Sequence, residues 1–261
     1  MKFRPCIDIH NGQVKQIVGG SLQDAGDAAV ENFVAVKSAA QYAAFYREKG
    51  LTGGHIVLLN PVSSPYYQAT KEQALSALLA YPGGLQIGGG MNPENGAEFL
   101  DAGAAALIVT SYIFTGPKLD RKKLRRLKET FGREKLVLDL SCRRKGDSWY
   151  VVTDRWQTFT DVTVGKELFE ELADFCFEFL IHGVDVEGKR SGMDQELVSA
   201  LSDWSTLPVT YAGGIGSLSD ITAFKKAGKG KLDLTIGSAL DIFGGSLSFD
   251  EVIEIVESAD S

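Results

Sequence analysis

Short runs of apolar and β-branched residues recur along the chain, and each gives way to a stretch in which apolar positions return every three to four residues. The runs are FRPCIDI (3–9), HIVLLN (55–60), LQIG (85–88), ALIVT (106–110), KLVLDLS (135–141), EFLIHGVDV (178–186), PVTYAG (208–213) and LDLTIG (232–237). The helix-period stretches cover 38–49, 68–80, 93–102, 118–131, 166–176, 194–203, 217–227 and 248–257. Ser38 is the cap of the first, and Pro93 occupies the first turn of the third. Strand and helix alternate eight times, which predicts parallel strands joined by crossover helices. A run as apolar as ALIVT needs cover on both faces, and eight such units in 261 residues fit a (β/α)8 TIM barrel. An open doubly wound sheet is the alternative, but it leaves the following repeat unexplained.

The two halves resemble each other. CIDI matches LVLDLS, LQIGGGM matches VTYAGGI, and LIVTSYIF matches LTIGSALDIF. Asp8 and Asp139 lie 131 residues apart, Gly90 and Gly214 124, and Ser111 and Ser238 127, all close to half the chain. A half-barrel repeated twice makes physical sense, because each copy covers the open sheet edges of the other. The pattern predicts one domain over 1–261 without a linker. Its longest irregular stretches, 18–36 and 142–165, are expected to be functional loops.

Composition narrows the class. With 44% hydrophobic residues the chain buries a sizeable core, and 27 basic against 34 acidic residues give a net charge of -7. That balance argues against nucleic acid or an anionic membrane as partner and favours a small-molecule ligand. No apolar stretch reaches the roughly 20 residues that span a bilayer, and MKFRPCID lacks the parts of a secretory signal. The expected location is cytoplasmic, or plastid if a transit peptide has been removed. Cys6, Cys142 and Cys176 show no C-x-x-C spacing, so neither a disulfide framework nor a thiolate zinc site is expected.

The chemistry-bearing residues cluster at strand ends. GGGMN (88–92) and AGGIGS (212–217) each follow a strand and precede a helix, so the glycines let backbone approach an anion near a helix start. Each reads as half of a phosphate cradle, completed by VTS (109–111) and IGSAL (236–240). Glycines also make plain tight turns; two copies in matching register favour the ligand. Neither segment fits a nucleotide-binding fingerprint, so two phosphates on one substrate are expected, with no cofactor. Asp8 and Asp139 end the first and fifth strands, where barrels place reacting groups, and form a candidate acid/base pair; salt bridging or capping is the plainer role. His10 and His182 are expected at the same rim. A metal site built from these histidines and an aspartate lacks a ligand spacing, so no metal is expected. Arg143 is a candidate to steady a phosphate or carboxamide, and Trp156 in DRWQTFTD is an aromatic plate over the site. Cys6 points to the same side of its strand as Asp8, as inner packing. KLDRKKLRRLK (118–128) holds seven basic residues, but Leu124, Leu127 and Phe131 keep an apolar stripe, so it is expected to be a solvated outer helix face.

CIDIHNGQVKQIVGG, LVLDLSCR, RWQTFTDV, HGVDVEG, YAGGI and GSALDIFGG together resemble the histidine-biosynthetic ribotide isomerases, the phosphoribosylformimino-aminoimidazole-carboxamide ribotide isomerase family, in their plant- and fungus-like form. The likeness spans essentially the whole chain. It implies a cofactor-independent barrel acting on a ribotide with a phosphate at each end by an Amadori rearrangement, aminoaldose to aminoketose; the chain is expected to be a monomer. It implies Asp8 and Asp139 as the acid/base pair, and Asp8 is expected as the base and Asp139 as the acid. It also implies phosphate binding by Gly89, Gly90, Thr110 and Ser111 on one side and Gly213, Gly214, Gly237 and Ser238 on the other. Trp156 and Arg143 match a loop that covers the ligand. Bacterial relatives have threonine where this chain has His182, and aspartate where it has Glu187; His182 then orients a substrate hydroxyl or shares the proton transfer. The cyclase subunit of imidazole glycerol phosphate synthase shares the duplicated barrel, but DIHNGQVKQIVGG and SCRR favour the isomerase. Phosphoribosylanthranilate isomerase is shorter and uses a first-strand cysteine. A non-catalytic phosphosugar-binding barrel would keep the glycine sites without needing the aspartate pair.

Overall fold

The structure is a computed structural model that describes residues 1–17, 21, 29–154, 156–188 and 192–258. Gly19, Gly20 and much of the expected 18–36 loop lie outside the described residues, as do Arg155 of RWQTFTDV and 189–191. In chain order the elements are β1 (Cys6–His10), β2 (Gln13–Ile17), β3 (Glu31–Val34), α1 (Ala39–Glu48), β4 (Gly54–Leu58), α2 (Tyr67–Ala80), β5 (Leu85–Gly88), α3 (Gly96–Asp101) and β6 (Leu107–Val109). Then come β7 (Phe114–Thr115), β8 (Lys118–Leu119), α4 (Arg121–Phe131), β9 (Leu136–Asp139), β10 (Cys142–Lys145), β11 (Ser148–Thr153), β12 (Thr158–Val164) and α5 (Lys166–Leu172). The chain ends with β13 (Glu178–His182), α6 (Gln195–Trp204), β14 (Val209–Ala212), α7 (Leu218–Ala227), β15 (Asp233–Thr235) and α8 (Phe249–Glu257).

Each of the eight expected strands and eight expected helices has a counterpart among the described residues. The eight strands lie in the order β1-β4-β5-β6-β9-β13-β14-β15, all parallel, so chain order is spatial order. Beyond β15, Phe3 forms a parallel bridge to Leu234, with Arg4 N–H donating to Leu234 O at 2.8 Å and Leu234 N–H to Lys2 O at 3.0 Å. The lead into β1 is thus bonded to the far end of the sheet. The result is a mainly parallel α/β protein, consistent with an eightfold β/α arrangement.

Strand alternation separates two environments. Leu136 and Leu138 of β9, and Phe179 and Ile181 of β13, join the large outer core shared with the helices. Their neighbours Val137 and Leu180 pack with Ala106 and Ile108 in a second, inner cluster. The inward face of β13 therefore reads Glu178, Leu180, His182. At one end of it, buried Glu178 accepts from Gln86 Nε2 at 2.8 Å and Thr210 Oγ1 at 2.7 Å, which satisfies a carboxylate that burial would otherwise disfavour. On α1, Ala39, Tyr42, Ala43 and Tyr46 form the buried stripe, and the Tyr46 hydroxyl donates to Cys6 O at 2.9 Å. Ser38 and Gln41 form the reciprocal cap at its start.

The differences from the sequence pattern are local. Helix α3 begins at Gly96, later than the expected 93, because Asn92 Oδ1 accepts from the Glu94 and Asn95 N–H groups and holds that stretch in a turn. Helix α4 begins at Arg121, after Asp120 has capped the Lys122 and Lys123 N–H groups. Its Leu124 and Leu127 are buried, as the stripe predicts. The larger correction concerns 142–165, expected to be irregular: β10, β11 and β12 form an antiparallel three-stranded sheet there. Strands β2 and β3 likewise fold back antiparallel after β1. Both insertions follow the strand that carries one of the two aspartates.

Candidate active site

A cavity of about 370 Å³ opens where the parallel strands end, and it gathers side chains from both halves of the chain. Asp8 from β1, Asp139 from β9 and His182 from β13 line it. So do Gly89, Gly90, Thr110 and Ser111, and so do Gly213, Gly214, Gly237 and Ser238. Trp156 lines it from the turn between β11 and β12. The sequence placed these residues in one site, and the geometry brings them to one chamber.

The glycine turns are built for close approach. Gly89 has φ +101°, and a Cβ there would lie 2.2 Å from Leu58 O; Gly214 has φ +77°, and a Cβ would lie 2.0 Å from Gly192 O. No side chain fits at either position, so both turns present bare backbone to the cavity. Each cradle's second half enters a single 3-10 turn, Ser111–Ile113 in one and Asp241–Phe243 in the other. Thr110 has a further role, because its Oγ1 donates to Asp139 Oδ2 at 3.4 Å.

Asp139 is heavily bonded. Its Oδ1 accepts from Ser141 N–H at 2.9 Å and Ser141 Oγ at 2.7 Å, and lies 3.4 Å from His182 Nδ1. Burial alone would push the carboxyl up, but the charge and hydrogen bond of His182, with the two hydrogen bonds from Ser141, outweigh it and hold Asp139 below the usual carboxylate range. For His182, burial acts downward, and the adjacent Asp139 charge and bond override it, raising the imidazole to about 9. The pair is therefore an ion pair at neutral pH. Of the two groups, His182 is the one whose protonated form is favoured and Asp139 the one whose ionised form is favoured.

Asp8 behaves in the opposite way. Burial and the neighbouring Glu187 carboxylate raise it to about 7, against the downward pull of His182 and of Gln16, whose Nε2 donates to Asp8 Oδ2 at 3.3 Å. A carboxyl at about 7 is poised to take up or release a proton near neutrality. His55 lies on the cavity wall 6.3 Å from the His182 ring, and burial next to that cation lowers it to about 3, so it stays neutral.

Two expected residues lie elsewhere. His10 is buried at 1% exposure at the end of β1 and does not line the cavity. Arg143 is not on the cavity wall either: its Nε donates to Asp185 Oδ1 at 3.0 Å and its guanidinium lies 5.5 Å from the Phe159 ring. The Trp156 ring lies 5.6 Å from that of His182, and its backbone has φ +67°. Gln16, Ser141, His55 and Glu187 are the site residues that sequence reasoning missed or left unassigned. Ser141 carried a signal, two positions beyond Asp139 with a hydroxyl. Gln16 carried none, since only the fold of β2 over β1 brings it to Asp8.

Residues 2–247 match the family described as histidine biosynthesis protein. The chain is 49% identical over 257 residues to the chloroplastic 1-(5-phosphoribosyl)-5-((5-phosphoribosylamino)methylideneamino) imidazole-4-carboxamide isomerase of Medicago truncatula, covering 97% of this chain and 81% of that one. It is 46% identical to the isomerase of the same name from Neurospora crassa, covering 97% of each. The isomerase of that name from Saccharomyces cerevisiae is 42% identical over 94% of each chain. Among the described residues, no helix is long and apolar enough to cross a membrane.

Proposed function

The chain belongs to the histidine biosynthesis protein family and is one of its isomerases, and from that premise we propose that Asp8 is the base and the Asp139–His182 pair the acid in an aldose-to-ketose rearrangement of the ribotide its relatives are named for. That ribotide bears a phosphoribosyl group at each end, and the two glycine cradles on one cavity are matched to its two phosphates. The reading takes the parallel sheet as a closed (β/α)8 barrel of two half-barrel repeats in a single domain. The Phe3–Leu234 bridge and the matched turns support it.

The chemistry follows from the proton inventory. His182, held protonated by Asp139, donates to the ribose ring oxygen as the ring opens, and the amine lone pair forms the Schiff base at C1. Asp8, ionised for half of its population near pH 7, removes the proton from C2 and leaves an enolamine. Return of that proton to C1, and of the enol hydroxyl proton to His182, yields the ketone and restores both groups. Each positioned acid or base of this kind contributes about 10² to 10⁴ in rate. His182 stands in the pair as the proton carrier and Asp139 as the group that keeps it charged. Trp156, over the His182 ring, closes the chamber from the β11–β12 side.

One observation carries the proposal: a single cavity brings together a carboxyl at about 7, a histidine–carboxylate ion pair and two duplicated glycine turns. The test is to supply the ribotide and follow ketose formation by the parent, Asp8→Asn and Asp139→Asn. Turnover by the parent and a loss of at least about 100-fold in each variant is expected. Full activity in Asp8→Asn overturns the assignment of the base, and binding without turnover in the parent overturns the activity.

A further inference from the structure

Gln16 is buried at 4% exposure, lies on β2 and belongs to neither the aspartate pair nor the glycine cradles. The register of β2 on β1, Ile9 opposite Val14 and His10 opposite Gln13, brings the chain back over β1 so that Gln16 reaches the inward-facing residues Cys6 and Asp8. Its Nε2 lies 3.3 Å from Asp8 Oδ2 and 3.8 Å from Cys6 Sγ. The other end of the same carboxamide touches the second cradle: a Cβ on Gly237 would stand 2.3 Å from Gln16 Oε1. One rigid, planar amide thus spans the gap between the proposed base and a proposed phosphate turn.

We propose that Gln16 is a positioning residue that clamps Asp8 by one oxygen and rests on Gly237, fixing the base relative to the anion cradle. The proposal rests on the assignment of Asp8 as base and says how the fold holds it there. Oδ2 is directed to Gln16, and Oδ1, with no donor among the described residues, is the oxygen left to take the substrate proton. The groups that face Asp8 are Cys6 on its own strand, Gln16 on β2, His182 on β13 and Glu187 beyond it. Of these, Glu187 favours the protonated form of Asp8, whereas His182 and Gln16 favour the carboxylate. Gln16 is the one that also fixes direction, because a hydrogen bond is oriented and a charge at longer range is not. Gly237 is small for the same reason: the amide occupies the space of its side chain.

The experiment replaces Gln16 by Leu, or by the near-isosteric Met if Gln16→Leu does not fold. The Asp8 carboxyl is titrated by NMR in the free, full-length enzyme labelled at aspartate carboxyls, with Asp8→Asn for assignment, and kcat/KM is measured across pH. Loss of one hydrogen bond to the ionised form raises the Asp8 titration by about one pH unit. The acid limb of kcat/KM moves with it, and kcat falls about fivefold near neutrality while KM changes little. An unmoved Asp8 titration overturns the clamp. A titration that moves while the kcat/KM limb stays fixed supports the clamp and overturns Asp8 as base. The second contact has its own test: Gly237→Ala weakens inorganic phosphate binding, and Gly237→Ala combined with Gln16→Ala restores it by opening the space. Equal damage from Gly237→Ala in both backgrounds overturns the contact.

Discussion

Replacing Asp139 by Asn (D139N) probes the proton-holding pair directly. Asp139 Oδ1 sits 3.4 Å from His182 Nδ1, and its charge and hydrogen bond lift the imidazole to about 9 against burial. In D139N the lift is lost and burial remains, so His182 should titrate at or below its ordinary 6.5. A fall of about 2.5 pH units corresponds to about 3.4 kcal/mol of preference for the protonated ring. At about pH 8 the protonated fraction drops from about nine-tenths to about 3%, a loss of about 30-fold from protonation alone. At about pH 6 about three-quarters remains protonated, so this part of the defect nearly vanishes. Loss of Asp139's own contacts adds a component independent of pH. The assay is therefore the parent-to-variant ratio of kcat/KM at the two pH values, with His182 titrated by NMR in parallel. The ratio should be about 20-fold larger at about pH 8 than at about pH 6. Equal ratios would refute the assignment of the acid proton to His182, whatever the size of the overall loss.

Asp8→Asn should remove activity yet raise stability. Asp8 titrates higher folded, at about 7, than the ordinary 3.8, so its ionisation opposes folding, absent below about pH 3.8 and complete above about 7. The variant should gain up to about 4 kcal/mol at about pH 8 and nothing in acid, read from urea unfolding at both; a less stable variant at about pH 8 contradicts the buried-carboxyl account. Trp156 fluorescence should rise as pH passes about 9, when the quenching imidazolium 5.6 Å away is lost, and the transition should disappear in His182→Gln; a transition that persists would place the quencher elsewhere. Gly89→Ala combines a left-handed φ with a Cβ 2.2 Å from Leu58 O, whereas Gly90→Ala, at φ +74°, meets nothing within 4 Å. Thermal unfolding should show Gly90→Ala costing about 1–2 kcal/mol and Gly89→Ala clearly more, and equal costs would count against the close approach.

The strands and helices were legible because each rests on a local periodicity that the final packing preserves. Asp8, Asp139 and the glycine turns could be singled out because their positions relative to strand ends repeat across half the chain, and His182 because it ends its strand. The antiparallel sheet over 142–164 was not: CRRK is mostly basic, SWYVVT does not alternate cleanly, and their pairing is decided by contacts among themselves. Arg143 was misplaced for a related reason. Its neighbours along the chain suggest the site, but on β10 its charge meets Asp185, and the ion pair holds it off the cavity wall.

What the sequence determined by itself was the order of elements, which residues stand at strand ends and the family, since all of these are carried by spacing along one dimension. Only the tertiary structure decided the protonation of the site. Two aspartates in equivalent places of two similar halves are chemically alike in sequence. The fold sets one beside His182 and Ser141, which stabilise its charge, and the other beside Glu187 in a buried pocket, which opposes it. A pKa depends on distances in space and on access to water, and neither is written in the spacing of residues along a chain.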